Sequence, residues 1–397
     1  MVTLIGMGSG KWEALSAQAQ QAVRSAGLVF GAKRLLAGLP ADCTARQFAL
    51  YQPADILETL AQNPGQDAAV LYSGDTGFYS GASGLLTLRV LGIPARVYPG
   101  VSSIQLLSAA LGRPWQDWKL VSAHGCACDP VAECMMNRSV FFLTGGTETP
   151  ASLCQKLTDA GMGEAHGVVG ENLGTEAEAI RYGSAAELAG QSFAPLSVLL
   201  VENFDLPQLR APGFPDESFI RSEVPMTKQE VRAAALAKLA VMPTDTLWDV
   251  GAGTGSVSVE LALAAPKGRV YAVECEPDAC ELIRKNRAKF HACNLILIEG
   301  RAPDVLADLP APDAVFIGGT KGGMEAVLDE VLGKNPNARI CISAIALETL
   351  GAAIAALTAR GLTAEVTQIA VSRTKPAGRL HLLMANNPIF LITGTRK

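Results

Sequence analysis

The sequence predicts an α/β protein with at least two domains, on three observations. A strand, a glycine turn and a helix follow one another directly at residues 246–264. The same order occurs at the N-terminus, where an apolar run at 2–5 enters a glycine turn and a helical pattern follows at 14–26. Residues 206–223 are rich in proline, glycine and charge, which is typical of a linker. We therefore expect a first domain at 1–205 and a second at 224–397, each built on strand and helix alternation.

In the first half, strand-like runs end in small residues that expose the backbone. Runs at 68–72, 96–98, 120–123 and 139–143 lead into SGDTGFYS, PGVSS, HG and TGG. Ligands of parallel α/β sheets sit at the carboxyl ends of strands, so these turns are expected to line one site. Three strand patterns in near succession, at 167–174, 178–183 and 197–202, then predict a second lobe with a mixed sheet.

The turn at 249–260, DVGAGTGSVSVE, predicts a nucleotide site in the second half. Its glycines are spaced G-x-G-x-G, and the next strand pattern ends in Glu274, where a carboxylate binds ribose hydroxyls in this class of fold. NAD and S-adenosylmethionine (SAM) both suit such a turn. The spacing differs from G-x-G-x-x-G, and Asp249 would repel a phosphate but suits a cationic ligand, which favours SAM.

The rest of the second half supports that interpretation. Strand patterns recur at 295–298, 314–317 and 339–343. Two further patterns, at 364–371 and 381–392, predict a closing antiparallel pair joined by a turn at 375–378, as in SAM-dependent methyltransferases. Thr227, with Glu230 three residues later, predicts a capping box at the start of the domain's first helix.

Composition excludes several other classes. The 397 residues carry a formal net charge of −5, which disfavours general attraction to nucleic acid. Nine cysteines scattered over the chain fit reduced thiols in the cytoplasm, and the C-x-C-x5-C spacing of Cys126, Cys128 and Cys134 matches no common zinc pattern, so no metal is expected. No apolar run approaches membrane-spanning length.

Motifs in both halves resemble known families. GMGSG, SGDTGFY, PGVSSIQ and SAHG are similar to the tetrapyrrole (corrin/porphyrin) methylases, in their CbiE branch. PMTKQEVR, LWDVGAGTGSVSVE, AVE, NLILIEGRAPDVL, AVFIGG and NPIFLITG resemble the CbiT family, a class I Rossmann-like SAM methyltransferase. The two on one chain resemble the fused CobL family, the precorrin-6Y C5,15-methyltransferases (decarboxylating) of cobalamin biosynthesis.

The resemblance implies a tetrapyrrole methylase fold of two α/β lobes, followed by the Rossmann-like domain. It also implies methylation of a precorrin at C5 by the first half and at C15 by the second, with decarboxylation of the ring-C (C12) acetate. It implies two SAM sites per chain and a homo-oligomer. The carried-over cofactor residues are Gly8, Asp75, Gly77, Phe78, Ser102, Ser103, His124 and Thr144 in the first half and Asp249, Gly251, Gly253, Gly255, Glu274, Ala302 and Gly318 in the second.

The resemblance assigns no catalytic side chain, and Asp75, between two glycines, has no evident structural role. The substrate carries many carboxylates, so the cations Lys228, Lys321, Arg373 and Arg379 are candidate partners, with a solvated surface charge as the alternative for each. The chain departs from the family's patterns in SGDTGFYS for SGDPGFYG, in GRA for GNA, and in Lys321 within a glycine loop.

Three other functions stay open at this point. The first is the equivalent step on a cobalt-precorrin, although fusion of the halves favours the metal-free substrate. The second is one half acting as a non-catalytic SAM-binding module, although both glycine systems are intact. The third is methylation of RNA, which the acidic charge disfavours.

Overall fold

The structure, a computed structural model, describes residues 1–86 and 94–396. The chain forms two compact units. The first comprises Met1–Cys128, Ser139–Gln155 and Gly163–Glu202, and the second comprises Asp129–Arg138, Lys156–Met162 and Asn203–Lys397. The predicted domain limits of 1–205 and 224–397 stay predictions.

The first sheet has five parallel strands in the order β3-β2-β4-β1-β5. Its strands are β1 (Val2–Gly6), β2 (Leu28–Phe30), β3 (Arg46–Phe48), β4 (Ala68–Tyr72) and β5 (Ala95–Tyr98). The accompanying helices are α1 (Ala17–Ser25), α2 (Lys33–Leu36), α3 (Pro53–Ala61), α4 (Ser83–Leu86) and α5 (Ser103–Leu111). The central strands β1 and β4 are buried at every residue, which explains their largely apolar sequences, with Thr3 as the one polar residue. Helix α1 begins later than predicted because the Ser16 hydroxyl accepts a hydrogen bond from Ala19 N and caps it there.

The second sheet is mixed, as predicted, in the order β6-β7-β10-β8-β9. Its strands are β6 (Lys119–Ser122), β7 (Ser139–Leu143), β8 (His166–Glu171), β9 (Ala179–Ser184) and β10 (Ser197–Glu202). Only β6 and β7 run parallel. The helices in this part of the chain are α6 (Pro130–Met136), α7 (Pro150–Asp159) and α8 (Ala185–Ala189).

The third sheet, in the second unit, has seven strands, and its order places the glycine-motif strand near the centre. Its five parallel strands are β11 (Thr246–Val250), β12 (Arg269–Glu274), β13 (Leu295–Glu299), β14 (Ala314–Ile317) and β15 (Arg339–Ala344). The last four strands of the chain are β16 (Thr363–Ile369), β17 (Ser372–Ala377), β18 (Leu380–Ala385) and β19 (Ile389–Thr395). The sheet order is β13-β12-β11-β14-β15-β19-β16. Five helices belong to this part: α9 (Gln229–Leu239), α10 (Ser256–Ala264), α11 (Pro277–Lys289), α12 (Met324–Lys334) and α13 (Leu347–Ala359).

The chain's last strands differ in part from the prediction. An antiparallel pair does close the sheet, since β19 lies between β15 and β16 and runs antiparallel to both. However, only the second predicted strand is divided, into β18 and β19, while the first corresponds to β16 alone. The predicted turn at 375–378 is wrong, because β17 extends to Ala377 and pairs with β18 in a separate two-stranded hairpin.

The predicted capping box at Thr227 is wrong. Helix α9 begins at Gln229 with Lys228 as its N-cap residue, and the Thr227 side chain does not cap it. The Gln229 amide instead donates to Asp216 Oδ1 at 2.9 Å, and the Thr227 carbonyl accepts a hydrogen bond of 2.6 Å from the Arg232 guanidinium. The Asp216 carboxylate thus takes the role that the sequence suggested for a hydroxyl.

Part of the predicted linker at 206–223 is built into the second unit. Phe214 and Phe219 are buried in the core cluster that contains Leu236 of α9 and Leu261 of α10. The backbone amides of Gly213 and Phe214 donate to the Glu260 carboxylate at 2.6 and 3.1 Å. Residues 213–220 therefore form a packed arm of this unit.

Among the described residues, no helix is both long and apolar enough to cross a membrane.

Candidate cofactor-binding sites

The glycine loop after β11 lies against the loop that follows β14. Gly251 has φ of +75°, and a Cβ atom there would lie 2.2 Å from the carbonyl oxygen of Gly319. Only glycine allows both this backbone conformation and this approach. Gly255 serves a different contact, since a Cβ there would lie 2.9 Å from Cγ1 of Ile283 on α11. The first glycine of the G-x-G-x-G motif thus allows the contact between the two loops, and the last allows the contact with helix α11.

Glu274, at the end of β12, binds the backbone of the same region. Its Oε2 accepts a hydrogen bond from Gly253 N at 2.8 Å, and its Oε1 accepts from Cys275 N and Glu276 N at 2.7 and 3.0 Å. A carboxylate offers about four lone-pair positions, so three amides leave room for one more donor. Glu274 therefore holds the glycine loop and can still accept a hydrogen bond from a ligand.

Asp249 is buried beneath this loop. The Ser258 hydroxyl donates to its Oδ2, and its Oδ1 has no partner among the described residues. The pKa of this carboxyl is raised to about 7, mainly by burial, with the Ser258 hydrogen bond opposing the shift and the nearby charge of Glu274 adding to it. Asp249 is therefore poised between its neutral and ionised forms near neutral pH.

A cleft of about 1400 Å³ opens at the carboxyl ends of the strands of this sheet. It brings together most of the residues predicted for the second half: Gly251, Gly253, Glu274, Ala302, Gly318, Lys228 and Lys321. Asp249, Gly255, Arg373 and Arg379 are not among the residues that line it. Asp249 is buried beneath the loop and Gly255 packs against α11. The predicted direct contact between Asp249 and a cationic ligand in the cleft is therefore not formed by this structure.

The cleft fits an adenosyl ligand on two observations. Thr254 is a lining residue of the cleft, and its buried hydroxyl has no hydrogen-bond partner among the described residues. The absence of a side chain at Gly253 leaves space in the cleft, because a Cβ there would lie 3.3 Å from the Pro225 carbonyl oxygen. A buried unpaired hydroxyl beside exposed backbone is the kind of surface that a polar ligand completes.

Lys321 lines the cleft and forms an ion pair there. Its ammonium pairs with the Glu276 carboxylate after β12, and it occupies φ of +47° within its glycine loop. The Lys321 hydrogen bond lowers the pKa of Glu276, and the pKa of Lys321 is raised in turn. Both side chains are exposed, so the pair exchanges readily with solvent or with another anion.

The two remaining cations lie elsewhere. Arg373 on β17 binds the Glu230 carboxylate at 2.8 Å and the Asp216 carboxylate at 3.3 Å. Its hydrogen bond lowers the pKa of Glu230. Arg379 lies in the turn of the β17–β18 hairpin. Arg373 is therefore an ion-pair residue rather than a free cation of the cleft.

In the first unit, three strand ends meet through glycine backbones. A Cβ at Gly100 would lie 2.3 Å from Gly74 O and 2.5 Å from Gly6 O. Gly8 and Gly74 also exchange backbone hydrogen bonds of 3.1 and 2.9 Å. Of these four glycines, only Gly8 was predicted from the sequence as a site residue. The recurrence of glycine at the strand ends could have indicated the other three.

Asp75 has a structural role that its sequence position did not reveal. Its Oδ2 accepts from Gly77 N at 2.7 Å, and its Oδ1 accepts from Gly100 N at 3.1 Å. The expectation that this carboxylate lacks a structural function is therefore wrong. It joins the loop after β4 to the loop after β5.

The other predicted residues of this unit divide into packing and polar positions. The Phe78 ring packs against Phe141 of β7 at 6.2 Å between centroids. Ser102 is the N-cap of α5, and Ser103 is the first residue of that helix. His124 Nδ1 lies 3.2 Å from Thr144 O, so the ends of β6 and β7 bring these two residues together. Gly145 was missed, and a Cβ there would collide with the His124 ring at 1.8 Å.

All nine cysteines are free. Within the described ranges 1–86 and 94–396, no group of three or more His, Cys, Asp or Glu side chains is arranged to hold a metal ion.

Comparisons with known proteins match both halves. Residues 1–189 match the tetrapyrrole (corrin/porphyrin) methylases, and residues 218–396 match a precorrin methyltransferase domain. The chain is 32% identical to a precorrin-6Y C(5,15)-methyltransferase [decarboxylating] of Sinorhizobium sp. over 83% of this chain and 81% of that protein. It is 46% identical to a probable cobalt-precorrin-6B C(15)-methyltransferase (decarboxylating) of Pyrobaculum calidifontis over 46% of this chain and 95% of that protein. A solved structure of precorrin-6Y C5,15-methyltransferase from Geobacter metallireducens GS-15 is 38% identical, with a TM-score of 0.46, and covers 48% of this chain and 100% of its own.

Proposed function

Because this chain belongs to the precorrin-6Y C(5,15)-methyltransferase (decarboxylating) family, we propose that its two halves methylate a precorrin at C5 and at C15 from two separate SAM sites. The second half also removes the carboxylate of the ring-C acetate. The observation that carries this proposal is the cleft of the second unit, where the glycine loop, Glu274 and the unpaired Thr254 hydroxyl meet at the ends of parallel strands.

The chain's own residues bind and orient in this mechanism. In the second half, Glu274 would accept from the ribose hydroxyls, the loop at Gly251 and Gly253 would let the ligand approach the backbone, and Ala302 would lie near the adenine. When bound, SAM supplies a methyl group on a sulfonium, which an electron-rich carbon of the macrocycle attacks. No side-chain nucleophile is required, so alignment and exclusion of water account for the protein's contribution.

In the first half, the proposed cofactor residues are Gly8, Asp75, Gly77, Phe78, Ser102, Ser103, His124 and Thr144. Their positions support this assignment, because they follow β1, β4, β5, β6 and β7 at the carboxyl ends, where ligands of such sheets bind. Asp75 contributes by keeping two of these loops together.

The metal-free precorrin is the favoured substrate. The compared relative that aligns with 83% of the chain is named for precorrin-6Y, whereas the relative named for cobalt-precorrin-6B aligns with 46% of it. Supplying each substrate to the purified protein separates the two.

Calorimetric titration with SAM tests the two-site proposal. We expect two SAM molecules bound per chain, and one per chain in the variant Gly253→Arg, because the large side chain fills the cleft beside Pro225. In that variant the C15 methyl transfer and the release of CO2 are lost, while the C5 transfer persists.

Asp75→Ala is the matched variant of the first half. Loss of the carboxylate separates the loops after β4 and β5, so we expect the C5 transfer to fall and the C15 transfer to persist, as identified by product mass. One SAM per chain in the wild type, or loss of both methyl groups in either variant, contradicts two independent sites.

A homo-oligomer is part of the same proposal, as the family resemblance implies. Strand β18 supports it, because Leu380, Leu382, Leu383 and Met384 are all exposed on a two-stranded hairpin. Exposed apolar patches of this kind commonly mark protein interfaces. Sedimentation velocity is expected to give an oligomer that Leu383→Asp weakens, and a wild-type monomer at micromolar concentration would refute it.

We also propose a cytoplasmic location, which nine free thiols support because disulfides are rare in reducing compartments. Recovery of the protein in an oxidising compartment on cell fractionation would contradict it.

A further inference from the structure

Charge is unevenly distributed over the lining of the second unit's cleft. Its cationic side chains are Lys228, just before α9, Arg301 after β13, and Lys321 after β14. The wall on the side of the chain's last strands carries none. We call this the tail wall and define it by Ile369, Val371, Asn386, Asn387 and Ile389, all of which line the cleft.

The tail wall is held in place by backbone pairing. Ile369 at the end of β16 pairs with Ile389 at the start of β19. Asn386 N donates to Val371 O at 2.9 Å, which closes the base of the hairpin between them. Ile369 and Ile389 also pack on the first core cluster of this unit. The wall is therefore a fixed surface rather than a free segment.

Its polar groups are neutral. Among the described residues, no hydrogen bond to the side-chain amide of Asn386 or Asn387 is present, and both residues are exposed to the cleft. Another stretch of the lining, from Ser343 at the end of β15 to Thr349, contains a single ionisable side chain, that of Glu348. A carboxylate bound here would meet apolar surface, two amides and a like charge.

The apolar and amide groups of the tail wall suit a carboxylate that is released as CO2. In that step the C–C bond of the acetate breaks, its electron pair passes into the conjugated macrocycle, and the methylene carbon takes a proton from water to become a methyl group. A paired cation would stabilise the carboxylate relative to the transition state, in which the charge has moved into the ring, and would slow the step. An apolar, amide-lined surface destabilises the charged ground state by desolvation.

We propose that the tail wall is the subsite of the acetate that is decarboxylated, and that Lys228, Arg301 and Lys321 hold carboxylates of the macrocycle that do not react. The proposal rests on the C15 methylation and decarboxylation assigned above to this half. It assigns Asn386 and Asn387 to orienting the acetate by hydrogen bonds that add no full positive charge.

The variant Asn387→Lys tests the subsite, with Gln368→Lys as the matched control. Gln368 is an exposed residue of β16 next to Ile369, but it does not line the cleft. We expect Asn387→Lys to lower the rate of CO2 release on the order of tenfold, the change that about 1.4 kcal/mol of carboxylate stabilisation produces. Its C15-methylated product retains the acetate carboxylate by mass. Gln368→Lys is expected to release CO2 at the wild-type rate.

Each other outcome is informative. Full CO2 release by Asn387→Lys overturns the proposal, as does an equal loss in Gln368→Lys. If Asn387→Lys fails to bind SAM or loses thermal stability, Asn386→Lys makes the same test from the adjacent position, and full CO2 release by a folded Asn386→Lys overturns the proposal equally. A wild-type protein that neither methylates C15 nor releases CO2 would instead refute the proposed function.

Discussion

Replacing Gly251 with alanine is expected to weaken SAM binding at the second unit's cleft strongly, while the first unit still binds one SAM. The new Cβ would lie 2.2 Å from Gly319 O and 2.9 Å from Gly319 N, so the loops after β11 and β14 must separate. The residue also has φ of +75°, which costs a non-glycine residue about 1–2 kcal/mol. We expect an affinity loss on the order of a hundredfold or more, corresponding to about 3 kcal/mol, measured by calorimetry.

Gly333→Ala, in helix α12 and outside the residues that line the cleft, is the matched control. A Cβ there meets nothing within 4 Å, and Gly333 is not among the glycines with positive φ. We therefore expect its SAM affinity and thermal stability to stay close to wild type. Wild-type affinity in Gly251→Ala, or equal damage from both substitutions, would show that the loop contact does not form the site.

Replacing Arg232 with methionine is expected to destabilise the second unit by about 3–5 kcal/mol. The guanidinium is fully buried, and it binds Glu260 at 2.7 Å and Asp216 at 2.9 Å. It also donates to the Phe214 carbonyl and lies 4.6 Å from the centre of the Phe219 ring. Removing it leaves the buried Glu260 carboxylate without a cation, leaves Asp216 with only Arg373, and releases the arm at 213–220. Urea unfolding at neutral pH measures the loss.

Arg284→Met is the control for that substitution. Arg284 pairs with Glu281 and Glu299, but all three side chains are largely exposed. Exposed ion pairs are worth about 0–1 kcal/mol, so a small change is expected. Similar losses in both variants would mean that burial of the Arg232 cluster contributes little.

Local patterns carried much of the prediction. The strand, glycine turn and helix at 246–264 is a contiguous unit, so its backbone requirements are visible in the sequence, and the structure forms β11 and α10 there. The mixed second lobe was predictable for the same reason, because three strand patterns follow one another with little helix between them. The position of Glu274 was predictable because this residue ends the strand that follows the glycine turn and its helix.

Partners far apart in sequence could not be assigned in this way. Arg373 was interpreted as a candidate for the substrate, but the fold places it on Glu230, 143 residues away. Asp75 accepts from Gly100, 25 residues away, through a loop contact that no local pattern indicates. Asn386 and Asn387 became candidates only when the pairing of β16 with β19 placed them in the cleft.

The sequence by itself determined the two glycine systems, the order of the two halves and the family, because these depend on short contiguous motifs and on composition. Only the tertiary structure decided which charges are free and which are paired, that residues 213–220 pack into the second unit, and that Asp249 lies beneath its loop. The physical reason is that burial and ion pairing depend on which surfaces pack together, and packing joins residues that sequence spacing leaves unrelated.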